Sequence, residues 1–288
     1  METLESLRRR IGSAQDLYGI IRTMKALAAA SIRQFEQAVE AVDVYTHTVD
    51  TGLRIVLQDQ SSQMENMLKR ENAGTLAIIF GTDQGMCGQF NENIVSYALK
   101  NLANVEAKKM IIGQRAGSRL EEAGSSFESL FHVPSSVDGI NPAVQSLLLE
   151  INSLRERDGV DKVILYYNHP ISGSSYKSVR KQLVPVDISL FRAPAREEKK
   201  SRSLPMYTME RGRLLSRLVS QYLFAQLYRA YAESLASENA SRLMTMQAAE
   251  KNIEERLGEL NTLYHGQRQG AITSELLDIV SGVEALGN

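Results

Sequence analysis

Apolar and small side chains recur at steps of three and four from the first turn of the chain: Leu4, Leu7, Ile11, Ala14, Tyr18, Ile21, Ala28, Ile32, Phe35, Val39, Val42, Val49, Leu53 and Val56. Lys25, with Met24 beside it, fills the gap between Ile21 and Ala28. This is the 3.5-residue period of a coiled-coil seam. No proline precedes Pro134, so the pattern predicts one helix over about residues 3–57, roughly 80 Å long at ~1.5 Å per residue. The other end reads the same way. From Arg213 to Val283 there is no proline, and one stripe runs from Leu215 and Tyr222 through Leu235, Leu243, Met246, Ile253 and Leu260 to Ile272, Leu276 and Ile279. Gly258, Gly266 and Gly270 are weak points in it, each costing about 1 kcal/mol relative to alanine. A narrow stripe does not hold a helix alone, because packing supplies most helical stability. The simplest partner for each terminal helix is the other, paired antiparallel. A bundle of shorter, broken helices is the competing reading.

The pattern changes in the middle. Residues 58–73 are polar and break the seam, and "TLAIIF" (75–80) then reads as a buried strand. A helix is expected over Ile94–Leu102, a strand at "KMIIG" (109–113), a short helix over Ser118–Glu122 and a strand within "SFESLFHV" (126–133). Asn141-Pro142 opens a helix to Arg157, with proline in the first turn. "KVILYYN" (162–168) is a buried strand, and "YKSVRKQLVPV" (176–186) alternates like an edge strand after a hairpin. This β-α-β order predicts a mainly parallel, Rossmann-like sheet with helices on its faces. The charged, proline-bracketed stretch 191–205 reads as a linker. The expected organisation is an N-terminal coiled-coil helix (1–57), a central α/β domain (58–205) and a C-terminal coiled-coil helix (206–288).

Composition narrows the function classes. A net charge of −1 over 288 residues is no obvious nucleic-acid or membrane-surface footprint. The single cysteine, Cys87, excludes an intrachain disulfide and fits a reducing compartment. No run reaches the roughly 18 apolar residues that span a bilayer, so no direct membrane insertion is expected, and the N-terminus carries acids without an apolar core behind it.

The stretch "GTDQGMCGQF" (81–90) is the one place where a phosphate site is suggested. Its glycines, Gly81, Gly85 and Gly88, lack the G-x-G-x-x-G spacing of a dinucleotide loop, and no lysine stands between residues 70 and 99 to serve a P-loop. Asp83 would repel a phosphate. The bland alternative is a sharp strand-to-helix turn with glycines in left-handed conformations. The four histidines lack metal-like spacing, Cys87 has no basic neighbour in the loop to activate it, and no cofactor is expected. The basic run Arg8–Arg10 reads as a solvated face or as a contact for an acidic partner.

Together these parts resemble the gamma subunit of the F-type rotary ATP synthases, over nearly the whole chain. "LESLRRRIGSAQDLYGIIRTMKALAAAS" is similar to the family's R-I-x-S…I-x-x-M-K-x-x-A-A-A pattern. "DQGMCGQFNENI" resembles D-x-G-(L/M)-C-G-x-F-N, "SENASRLMTMQAAEKN" resembles S-E-x-x-x-R-M-x-A-M-x-x-A-x-x-N, and "LYHGQRQGAITSELLDIVSG" is similar to the closing Y-N-x-x-R-Q-x-x-I-T-x-E-L-x-E-I-V-x-G. The chain departs from the pattern at "YGII", at Ser31, at Asn252-Ile253, and at Gly266 and Gly270. The resemblance implies a non-catalytic rotor shaft coupling ion flow to ATP synthesis or hydrolysis. Its terminal helices would stand inside a ring of alpha and beta subunits. Its α/β domain would lie by the epsilon subunit and the membrane c-ring, on the cytoplasmic face of the membrane as a peripheral subunit. The nucleotides would belong to the ring. The resemblance also implies that Met24, Lys25, Arg268, Gln269 and Thr273 contact beta subunits, and that Asp83, Gly85, Cys87 and Gly88 form a structural turn. Outside the resemblance, a coiled-coil scaffold and a nucleotide-binding α/β enzyme are the competing classes.

Overall fold

In the computed structural model, which describes residues 3–57, 74–171, 175–191 and 206–286, the N-terminal heptads form one helix, α1 (Leu4–Leu57). Burial follows the heptad closely. Leu7, Ala14, Ala28, Phe35, Val42, Val49 and Val56 share one seam position and all are buried. Thr46 occupies the alternate position and is buried too; its hydroxyl donates to the Val42 carbonyl at 2.7 Å, so no polar group is stranded. The C-terminal stripe forms a second long helix, which closes the element order below. The predicted seam break at 58–73 and residues 192–205 of the predicted linker lie outside the described residues.

The sheet comprises β1 (Gly74–Phe80), β2 (Ala107–Ile112), β3 (Ser129–Phe131), β4 (Val160–Pro170) and β5 (Tyr176–Val184) in the order β3-β2-β1-β4-β5. All neighbours pair parallel except β5, which runs antiparallel on β4 as the predicted edge strand. Between the strands lie α2 (Phe90–Leu102), α3 (Gln114–Glu122) and α4 (Ile140–Asp158); a single 3-10 turn (Ile188–Phe191) precedes α5 (Arg211–Leu286). Helices α2 and α3 each begin four residues before the apolar pattern starts, because their first turns close the loops after β1 and β2. The third strand is only three residues of the stretch 126–133, held at the edge by Met110, Ile111 and Ile112.

Alternation along β1 separates two cores, as the pleat requires. Ala77 and Ile79 pack with Ile94 and Ala98 of α2 and Leu120 of α3. Leu76, Ile78 and Phe80 pack with Val144 and Leu147 of α4, Phe35 of α1, and Leu227, Tyr231 and Leu235 of α5. With both faces covered, β1 is buried along six of its seven residues, the signature of a parallel sheet.

The chain divides into two compact units, Ala29–Ser241, and Met1–Ala28 with Arg242–Asn288. The divisions fall inside the long helices, because the helix segments packed on the sheet belong to its core. In the first unit, Val49, Leu53 and Leu57 of α1 pack with Phe191 and Tyr222, and the Arg211 guanidinium donates to the Val56 carbonyl near the C-terminus of α1. In the second unit, Thr3 caps α1 by accepting the Ser6 amide at 3.3 Å. Leu7 and Ala14 pack antiparallel against Leu260, flanked by Ile253, Leu257 and Tyr264.

There the seam stops, which corrects the sequence expectation. Ile272, Leu276 and Ile279 are 47%, 58% and 63% exposed. Because α1 begins at Leu4, opposite the Leu257–Tyr264 stretch, the apolar stripe of α5 outruns its partner. Every residue from 268 to 281 is exposed.

Candidate functional site

The loop after β1 is held by side chains more than by its glycines. Gly81 is required by packing: a Cβ there would stand 2.2 Å from the Ala116 Cβ of α3. Gly85 faces ordinary space, 3.8 Å from Arg115. Only Gly88 of the three, at φ 60°, is left-handed, and it shares that conformation with Met86. The expectation of left-handed glycines throughout is therefore corrected. The turn is instead braced by Asn91 and Thr82, both buried. The Thr82 amide donates to Asn91 Oδ1 at 3.0 Å and Asn91 Nδ2 donates back to Thr82 Oγ1 at 2.9 Å. Cys87 is buried, and its carbonyl accepts the Ser241 hydroxyl of α5 at 2.7 Å.

Asp83 has the most specific role in the loop. Its Oδ1 accepts the Gln114 amide at 2.8 Å and its Oδ2 the Val133 amide at 2.9 Å. Gln114 is the first residue of α3, so the carboxylate occupies a helix N-terminus, where backbone N–H groups and the helix dipole favour an anion. The carboxylate thus caps the helix after β2 and ties the β1 loop to the ends of β2 and β3.

Sequence reasoning passed over a second polar cluster, on α5. Ala230 to Ser241 are buried on every face of the helix. Glu233, 1% exposed, accepts Arg229 Nε at 2.6 Å and lies 2.7 Å from His169 Nδ1. Arg229 also reaches Asp43 of α1 at 3.0 Å. Burial, and then Glu233, push the Tyr167 phenol up. Ser237 donates to the Asn168 carbonyl at 3.0 Å. The available signal was the run of polar residues 233, 234, 237, 238, 239 and 241 inside a helix otherwise rich in alanine and leucine.

In the paired helix ends, Lys25 forms an ion pair with Glu250 of α5, and both side chains are largely covered. Its charge is thus neutralised within the chain. The Tyr18 hydroxyl donates to Glu254 at 2.8 Å, and this bond holds the phenol above its usual range. Met24 is half-buried and lines a shallow groove on α1 with Gly19, Ile20 and Thr23. Arg268, Gln269 and Thr273 are all exposed; the Thr273 hydroxyl donates to the Gln269 carbonyl at 2.9 Å. They stand on α5 about 27 Å beyond Glu250 at ~1.5 Å per residue, so the two sets of predicted contact residues form separate patches. Among the described residues, no group of three or more His, Cys, Asp or Glu could hold a metal ion and no helix is long and apolar enough to cross a membrane.

The ATP synthase family model matches residues 3–286. Among curated relatives, the ATP synthase gamma chain of Geobacter metallireducens is 28% identical over 294 residues and that of Aliarcobacter butzleri 26% over 309, each aligned over 99% or more of both chains. A chain from the Euglena gracilis mitochondrial ATP synthase, solved as OSCP, F1 and c-ring, superposes with a TM-score of 0.65 at 18% identity, covering 98% of this chain and 94% of that one. One from the central stalk and c-ring structure of the Tetrahymena thermophila enzyme gives 0.60 at 22%, covering 80% and 99%. The chain therefore belongs to the ATP synthase family as a gamma chain, the non-catalytic subunit of the central rotor stalk.

Proposed function

We propose that the paired terminal helices turn inside a ring of alpha and beta subunits, while the α/β unit meets the epsilon subunit and the membrane c-ring. The chain would act at the cytoplasmic face of the membrane as a peripheral subunit. Ion flow through the membrane sector would thereby drive, or be driven by, ATP turnover in the ring. The observation that carries this reading is the bare end of α5. Ile272, Leu276, Leu277, Ile279 and Val280 are 47–63% exposed on a stretch of the helix that has no partner among the described residues. Such an apolar surface marks an interaction site, and a ring that encloses it would cover every side at once. A single asymmetric helix surface meets each member of a threefold ring differently. Driving one site from mostly open to mostly closed requires a differential of roughly 5 kcal/mol, within reach of a few contacts.

Arg268, Gln269 and Thr273 supply the polar part of that surface: a forked donor for a carboxylate and two hydrogen-bonding groups. Met24 offers a second, apolar contact on α1. Lys25, already paired with Glu250, would act by holding the helices in register more than by meeting an acidic loop directly. The test is co-purification with alpha and beta subunits. The intact chain is expected to bring down the ring with ATP hydrolysis. The double variant Arg268→Ala, Gln269→Leu is expected to weaken assembly or slow turnover with unchanged helicity. Normal assembly and turnover in that variant would overturn the assignment of those residues.

A further inference from the structure

A shaft helix that packs on its domain only through apolar side chains has little to stop it rolling about its own axis, because apolar packing is non-directional. Hydrogen bonds have fixed geometry. On α5 four such polar contacts lie on one stripe: Arg229, Glu233, Ser237 and Ser241, four residues apart. Each such step advances about 6 Å and turns the stripe by only about 40°. Every member reaches a different fixed group of the same compact unit. Arg229 reaches Asp43 of α1, Glu233 reaches His169 of β4, Ser237 reaches the Asn168 carbonyl of β4, and Ser241 reaches the Cys87 carbonyl of the loop after β1. Two of these partners are backbone carbonyls, which do not move with a side-chain rotamer. Ser237 is fully buried and Ser241 nearly so, so water does not substitute for either bond.

We infer that Arg229, Glu233, Ser237 and Ser241 form a roll lock that fixes the rotation of α5 about its axis against the sheet, making them the positioning residues through which torque passes between the α/β unit and the helix. The inference rests on the rotor reading above. Losing the two serine bonds shifts the locked-to-slipped equilibrium by about thirtyfold. The apolar contacts of Leu235, which lies in the same core, contribute stability without fixing the roll.

The test uses the complete ATP synthase in lipid vesicles, carrying Ser237→Ala with Ser241→Ala, and separately Leu235→Ala. ATP hydrolysis and ions pumped per ATP are measured beside the melting temperature of each chain. The serine double variant is expected to hydrolyse ATP at a near-normal rate while pumping per ATP falls at least about twofold. Leu235→Ala is expected to melt lower and keep its pumping ratio. An unchanged ratio in the serine variant, or an equal fall of the ratio in Leu235→Ala, would overturn the inference. Where the double variant fails to assemble, Ser237→Ala alone carries the same two outcomes. An unmodified chain that assembles but drives no pumping would count against the rotor reading instead, which keeps the two failures distinct.

Discussion

Two stretches of the same helix have opposite fates. From Ala230 to Ser241, α5 is buried on every face, although it carries Glu233, Ser234, Ser237, Glu238 and Asn239. From 268 to 281 it is exposed on every face, although it carries Ile272, Leu276, Leu277, Ile279 and Val280. Polarity alone would have assigned them the other way round. What differs is the company each keeps. The first stretch is enclosed by β4, the loop after β1 and α1, which supply partners to Glu233, Ser237 and Ser241. The second extends past the residue where α1 begins. An apolar stripe is a core only where something covers it, and a polar residue is tolerated inside where partners are fixed in place.

The largest expected effect breaks the enclosed stretch. Tyr231 is 1% exposed and stacks edge-on to Phe80, with centroids 4.9 Å apart. Tyr231→Ala should destabilise the isolated chain by about 3–5 kcal/mol, read as a fall in urea midpoint at constant slope. Next is Glu233→Ala, which leaves Arg229 and His169 without their shared carboxylate. Removing one partner of a buried pair costs roughly 3 kcal/mol. A loss below about 1 kcal/mol would show that the cluster is well hydrated.

Neither Tyr231 nor Glu233 stood on the stripe read from the sequence. The heptads of α1 were legible because their period persists over fifty residues. The parallel sheet was legible from short apolar runs separated by helices. The role of Asp83 was not, since its partners Gln114 and Val133 stand 31 and 50 positions away and only the fold brings them together. The end of the seam was not legible either. Periodicity shows that a stripe exists, but the register of an antiparallel partner decides where it is covered. Glu254 shows the same limit: it accepts the hydroxyl of Tyr18, 236 positions away.

A smaller effect sharpens the comparison through pH. Asp50 of α1 has one carboxylate oxygen buried without a hydrogen-bond partner among the described residues. Burial raises its carboxyl above the ordinary range, with Arg54, His47 and Lys181 opposing. A folded value above the unfolded one means the folded state holds the proton longer. Stability is therefore greatest below the ordinary carboxylate value, and it declines as pH rises through the raised one. Asp50→Asn should remove that decline and raise the melting temperature at neutral pH relative to the unmodified chain. A melting profile with the same pH slope in both proteins would contradict this.

The smallest effect belongs to the bare tail. Leu276→Ala should change the stability of the isolated chain by less than about 0.5 kcal/mol, because nothing among the described residues covers it. The same substitution should weaken assembly with the ring, measured by co-purified beta subunit per gamma chain. A large loss of stability in the isolated chain would show that the tail folds back on a partner.

Amide hydrogen exchange along α5 tests the central claim most directly, because it reads both stretches in one molecule. In the isolated chain, the amides of 230–241 should exchange only through global unfolding, while those of 268–281 should exchange through local fraying. On assembly with alpha and beta subunits, protection of 268–281 should rise sharply and that of 230–241 should change little. A tail already protected in the isolated chain, or one that gains no protection in the assembled complex, would contradict the claim that the bare end of α5 is completed by the ring.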